Sequence, residues 1–335
     1  MHSGRALGEV AIAGAGVAGL CAAAELARRG VRVTVSDPSP VPGPHACSWW
    51  AGGMLAPWCE GESAEEPVVR LGQEAAGWWR EHCGSVVRNG SLVVALGRDL
   101  RELDRFARRT ERHEFLSSEA VGVLEPDLAG RFGRALLFRD EAHLAPREAL
   151  GALRHRLEAD GVVFREGPAP ESEGLTVDCR GLAARDVLRD LRGVKGEMIV
   201  LRCPDVALSR PVRLLHPRIP LYIVPRGDGV YMLGATAIES DDRRRVTARS
   251  LLEMLSAAYA LHPAFGEAEV LELGVDARPA FPDNLPRIRR HGRRIHVNGL
   301  YRHGFLLAPA LARMVAALLL YDERPELMDE DIPER

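Results

Sequence analysis

Gly14-Ala15-Gly16-Val17-Ala18-Gly19 follows a short apolar run and opens an alanine-rich helical stretch, after which come Gly30 and Val31-Arg32-Val33-Thr34-Val35-Ser36-Asp37. Strand, glycine turn, helix and a second strand ending in an acid are the parts of a βαβ dinucleotide site. Gly14 permits the tight turn, Gly16 removes the side chain that would block a pyrophosphate, and Gly19 lets the helix pack close to the strand. Ala15, Val17 and Ala18 bring backbone N–H groups to the helix N-terminus, which attracts phosphate. Asp37 ends the second strand, where its carboxylate can accept both hydroxyls of an adenosine ribose.

At 335 residues, with 46% hydrophobic and 27% charged residues, the chain is long for one compact unit, and two lobes are expected. Lys and Arg total 44 against 47 Asp and Glu, a formal charge of −3. That balance creates no field to recruit nucleic acid or an anionic membrane, so small neutral or zwitterionic partners fit better. Six scattered cysteines, Cys21, Cys47, Cys59, Cys83, Cys179 and Cys203, form no CxxC pair and read as reduced thiols of a cytoplasmic protein. The nine residues before the first strand are too few for a secretion signal, and the longest apolar segment, residues 305–321, is interrupted by Pro309 and Arg313, so no membrane span is expected. The eleven histidines show no metal-ligand spacing, and no metal is expected.

Beyond Asp37 a proline-rich loop leads to Ser48-Trp49-Trp50-Ala51-Gly52-Gly53-Met54. A second small-residue turn directly after the second strand implies a bound molecule long enough to pass the first phosphate site, which favours FAD over NAD. Helices are expected over residues 67–80, 100–113 and 147–159. Strands are expected at 161–164 and 175–179, returning the chain to its first sheet. Residues 197–201, 212–216, 221–224 and 230–233 alternate with Pro and Gly turns, the signature of an antiparallel sheet. A helix over 241–261 should place Asp241 and Asp242 at its N-terminal end, where acids suit the dipole. The acidic tail, 322–335, reads as loose.

Several later segments, together with the opening turn, carry a family likeness: Gly52-Gly53-Met54-Leu55-Ala56-Pro57, Tyr222-Ile223-Val224-Pro225-Arg226, Gly234-Ala235-Thr236, Ala277-Arg278-Pro279 and Tyr301-Arg302-His303-Gly304-Phe305-Leu306-Leu307-Ala308-Pro309. In this order they resemble the glycine oxidases of the D-amino-acid oxidase and sarcosine oxidase family, and the likeness runs over most of the chain. It implies an α/β fold: a discontinuous Rossmann-like FAD-binding domain (1–81, 142–193 and 276–335) and an antiparallel-sheet α+β substrate domain (82–141 and 194–275).

The resemblance further implies an FAD-dependent amine oxidase acting on a small amino acid with O2. Arg278 would pair with the substrate carboxylate and the Tyr222 hydroxyl would donate a third hydrogen bond. A planar guanidinium matches a carboxylate, although by themselves Arg278 reads as a surface arginine and Tyr222 as a core tyrosine. Met54, Ala237 and Arg302 would wall the substrate pocket. Gly52, Gly53 and Met54 would approach the flavin ring, Ser48 its pyrophosphate, and Gly181 and Ala169 the adenosine end. Arg302, His303, Gly304, Phe305 and Leu306 would wrap the ring's pyrimidine side. The segment 301–306 contains no cysteine, so FAD should be held non-covalently.

The family commonly has a methionine where Ala237 stands, and the connection 170–175 is shorter than usual. The smaller wall suggests an N-substituted glycine, such as an N-carboxymethyl amino acid, cleaved to glyoxylate, an amine and H2O2. The substrate amine must be neutral to react, so the rate should rise with pH until it is deprotonated. A dehydrogenase using another electron acceptor, a silent flavin-binding protein and an NAD reductase are the competing readings; homo-oligomerisation stays open.

Overall fold

The structure is a computed structural model describing residues 8–169, 174–216 and 220–329. Most of the 170–175 connection lies outside the described residues. Strand Glu9–Ala13, helix Val17–Arg28 and strand Arg32–Asp37 form the expected unit, the two strands pairing in parallel from Glu9 with Arg32 to Ala13 with Ser36. They lie inside a six-stranded sheet ordered Arg287–His291, Arg294–Asn298, Leu175–Asp178, Glu9–Ala13, Arg32–Asp37, Val163–Glu166. Both returning strands therefore join the first sheet.

Helix Val17–Arg28 packs on this sheet, and against that helix lie Pro146–Ala159 and Gly304–Tyr321. The last has a mean hydropathy of 1.8, and it is long and apolar enough to cross a membrane, but 78% of it is buried within the fold. Pro309 sits inside it. Proline has no N–H to give the carbonyl four residues earlier, and the indole Nε1 of buried Trp79 donates to that carbonyl, on Phe305, at 2.8 Å.

The second sheet has nine strands. Eight run in the order Ile238–Glu239, Arg192–Arg202, Val230–Gly234, Leu221–Gly227, Val212–Leu215, Ser91–Ala95, Arg134–Phe138, Glu114–Ser117, and Glu269–Ala280 pairs along Arg192–Arg202. Its pairings are antiparallel except one: Val212–Leu215 runs parallel to Ser91–Ala95, because a long crossover through the first lobe separates them in sequence. Strands Arg192–Arg202 and Glu269–Ala280 run past the expected boundaries at 193/194 and 275/276, carrying the chain between the lobes.

Four local expectations are corrected. The helix over 67–80 is two, Glu66–Gly72 and Ala75–Cys83; Gly72 lies so close to Leu306 that an added Cβ would stand 2.7 Å from its Cγ. The charged helix ends at Arg109. The helix expected from 241 begins at Ala248, where the Thr247 side chain caps it by accepting from the Ser250 N–H at 3.2 Å. Asp241 and Asp242 are thus outside it, paired with Arg185 and Arg244. The described part of the tail is docked: Asp329 pairs with Arg287 and Arg289, and Glu326 with Arg70.

Candidate active site

The glycine turn is tight at Gly14 and Gly19 and open at Gly16. Gly14 has φ +102°, and a Cβ there would stand 2.6 Å from the Cys179 carbonyl oxygen. One on Gly19 would stand 1.9 Å from the Gly14 oxygen, so backbone passes where a side chain would be. At Gly16 the nearest obstacle is Ser48 Oγ at 3.7 Å. That hydroxyl is buried without a hydrogen-bond partner. A buried unsatisfied hydroxyl costs free energy unless a ligand or water completes it, and a phosphate beside Gly16 does so. Asp37 accepts from the Ala15 N–H and the Ser39 N–H, each at 2.8 Å. It braces the turn from the neighbouring strand and lines the cavity, and a carboxylate accepting two hydrogen bonds keeps further acceptor capacity.

From this turn a cavity of about 700 Å³ runs to the second sheet. Gly14, Gly16, Val17, Ala18, Asp37, Ser48 and Gly181 line one end; Gly52, Gly53, Met54, His303, Gly304, Phe305 and Leu306 line its middle; Tyr222, Ala237, Arg278 and Arg302 line the other end. Ala15 and Gly19 stand behind the wall, and half-buried Ala169 lies off the cavity.

Arg226 and Arg278 play different parts near this end. Arg226 donates to the Gly52 carbonyl at 2.8 Å and the Leu144 carbonyl at 3.1 Å. It ties the Gly52–Gly53 turn to the second sheet, and burial pushes its guanidinium down to about 10. Arg278 instead lies over Gly196, where a Cβ would stand 2.2 Å from its Nη2, and donates to the Thr236 carbonyl at 3.0 Å. The neighbouring acid, Asp276, is occupied by Arg243, with Nη2 to Oδ2 at 3.1 Å. Arg278 therefore has no carboxylate within ion-pair distance among the described residues.

Tyr222 stands opposite Gly234 in the sheet register, and a Cβ on Gly234 would be 2.8 Å from its hydroxyl. Burial raises the phenol above its ordinary range, against the pull of Arg278, Arg213 and Arg226, so it stays protonated and can donate. The Gly196 and Gly234 strands both pair with Arg192–Arg202 or belong to it, so the Arg278 guanidinium and the Tyr222 hydroxyl lie over adjacent strands on one face.

Sequence reasoning missed Glu60 and Arg213. Glu60 Oε1 accepts from Arg213 at 2.6 Å, and its Oε2 from Arg302 and from His303 Nε2, each at 2.9 Å. Burial pushes the Glu60 carboxyl up, but Arg302, Arg213 and His303 overrule it and hold it well below the usual range. Burial keeps His303 below its ordinary value, so neutral His303 donates through Nε2. The one signal available was that Arg213 lies directly across from Tyr222, but the register that pairs them is tertiary information.

Residues 9–318 match the model of a family described as FAD dependent oxidoreductase (DAO). The chain belongs to that family. This DAO-family flavoenzyme is 58% identical over 322 residues, 95% of its length and 98% of the other's, to a Rhizobium etli protein provisionally named thiamine biosynthesis oxidoreductase ThiO. The crystal structure of glycine oxidase from Geobacillus kaustophilus superposes with a TM-score of 0.79 at 25% identity, covering 96% of each chain. That of the Bacillus cereus glycine oxidase gives 0.77 at 26% identity, covering 93% of this chain and 94% of that one. The molecule is thus a glycine oxidase-like oxidoreductase with FAD as its cofactor, and the glycine turn, the orphaned Ser48 hydroxyl and Asp37 fit that group. When bound, FAD supplies a two-electron acceptor; the chain's residues bind, orient and exclude water.

Proposed function

We propose that this flavoenzyme oxidises glycine or an N-substituted glycine, by R–NH–CH2–COO⁻ + O2 + H2O → R–NH2 + OHC–COO⁻ + H2O2, with FAD held non-covalently. The observation that carries the reading is Arg278, a guanidinium without a counter-carboxylate among the described residues, placed beside a protonated tyrosine in a cavity continuous with the nucleotide turn. A substrate carboxylate there receives two parallel guanidinium hydrogen bonds and one from Tyr222, which fixes the adjacent carbon. The Rhizobium etli relative's name and the glycine oxidases of similar structure agree with this chemistry.

The test is aerobic turnover of the yellow protein with glycine, N-methylglycine and longer N-alkylglycines, following glyoxylate and peroxide. Stoichiometric peroxide, with a rate that rises with pH as the amine loses its proton, supports the reading. Flavin bleached anaerobically without peroxide in air would make it a dehydrogenase, and no bleaching by any of these amines would overturn it.

A further inference from the structure

Three guanidinium groups, those of Arg213, Arg226 and Arg278, bear on Tyr222, and Arg302 joins them through Glu60; one carboxylate is ion-paired with any of the four among the described residues. Arg213 faces Tyr222 across the register, Arg226 and Arg278 act on the same hydroxyl, and Arg302 reaches Glu60 beside Arg213. Arg226 commits its donors to the backbone carbonyls of Gly52 and Leu144, and Arg278 is the anchor for the glycine carboxylate in the reading above. On the other flank of Tyr222 one Glu60 carboxylate serves both Arg213 and Arg302, with a neutral His303. That flank keeps a surplus positive charge in a partly desolvated wall, where an uncompensated charge is costly. Three further acids lie nearby: Glu141, fully buried behind Cys59, whose N–H it accepts at 2.7 Å, acts on Arg213 from behind, while Glu62 and Glu102 on the same flank are both paired with Arg105, and Glu62 also with Arg109.

The cavity continues along this flank, past Ser63, Arg213, Leu215 and Arg302. Arg278 leans inward over Gly196, from the strand at one side of the sheet, while Arg213 stands on the far side of Tyr222. A ligand held at both would lie across Tyr222, with an acid group at each end. We propose that Arg213 and Arg302, positioned by Glu60, form a second acid-binding subsite, and that the preferred substrate is an N-substituted glycine whose substituent ends in a carboxylate. This rests on the reading of Arg278 given above. Opposite charge at the second site adds charge-assisted hydrogen bonds that an alkyl substituent cannot make.

Two measurements on the FAD-loaded protein test it. In turnover, iminodiacetate should exceed N-propylglycine in kcat/KM by about tenfold or more, mostly through KM. Arg213→Gln should collapse that ratio toward one, and Arg213→Lys should restore part of it. In binding, followed by the flavin spectrum, glutarate should bind the wild-type protein about tenfold or more tighter than pentanoate. This arm needs neither catalysis nor a variant that folds. Equal affinities for glutarate and pentanoate, or a ratio untouched by Arg213→Gln, would overturn the subsite. Oxidation of glycine and N-methylglycine without a diacid preference would sink the subsite alone, whereas a glutarate preference in a protein that oxidises no glycine derivative would sink the reaction alone.

Discussion

The guanidinium of Arg278 rests on the bare backbone of Gly196, with the position of an added Cβ 2.2 Å from Nη2 and 2.4 Å from Cζ. The two residues are on neighbouring antiparallel strands, Gly196 opposite Asp276, so the absent side chain is what lets the arginine lie flat and aim along the sheet.

Gly196→Ala should therefore displace Arg278 while leaving the nucleotide turn untouched. Losing a charge-assisted pair costs about 1.5–3 kcal/mol, so KM for a glycine substrate should rise roughly 10- to 100-fold. FAD content, read from the visible spectrum, should match wild type; an unchanged KM would refute the packing argument.

Gly19→Ala acts at the other end of the cavity. Its Cβ would meet the Gly14 oxygen at 1.9 Å, and the helix must move away from the strand. We expect protein that folds by circular dichroism but purifies with little FAD, its affinity on titration reduced about tenfold or more.

Ala237→Met narrows the exposed wall beside Thr236. Turnover of N-butylglycine should fall several-fold more than that of glycine, because added volume clashes with the larger substituent first. Equal losses for both substrates would show that Ala237 does not border the N-substituent.

Glu141 gives a pH signature. Burial pushes its carboxyl up from 4.5 to about 7, so between those values the folded chain binds a proton that the unfolded chain has lost. Its contribution is fully present below about pH 4.5 and disappears as pH rises through about 7. Chemical denaturation of wild type and Glu141→Gln should show wild type losing on the order of 3 kcal/mol relative to the variant over that window. A difference that is constant with pH would contradict the shift.

Trp79→Phe keeps an aromatic ring in the core but removes the donor to the Phe305 carbonyl that Pro309 leaves free. An unsatisfied buried carbonyl costs about 1–3 kcal/mol, and the denaturation midpoint should drop accordingly, with the slope unchanged.

Much of this molecule was readable in one dimension. The βαβ unit was legible because its parts are contiguous: apolar run, Gly14-x-Gly16-x-x-Gly19, helix and Asp37 fall within one short stretch. The strand at 212–215 was recognisable, but its parallel partner at 91–95 was not, since pairing across a long crossover leaves no local mark. The helix start at Ala248 was misplaced because charges at 241–245 looked like an N-terminal turn, while Thr247 makes the cap, Arg244 pairs locally with Asp242, and Asp241 and Arg243 answer Arg185 and Asp276 elsewhere.

The sequence by itself determined the nucleotide turn and the kind of second lobe, and by family likeness it singled out Arg278 and Tyr222 as candidates for the acid-binding pair, because each lies in a short contiguous motif. Only the tertiary structure decided that Arg278 has no paired carboxylate among the described residues while Asp276 is taken by Arg243, and that Glu60, Arg213, Arg302 and His303 meet at one wall. The physical reason is that charge balance in a desolvated cavity depends on which distant segments share it, and pairings over such separations carry no periodicity or spacing that a linear reading can detect.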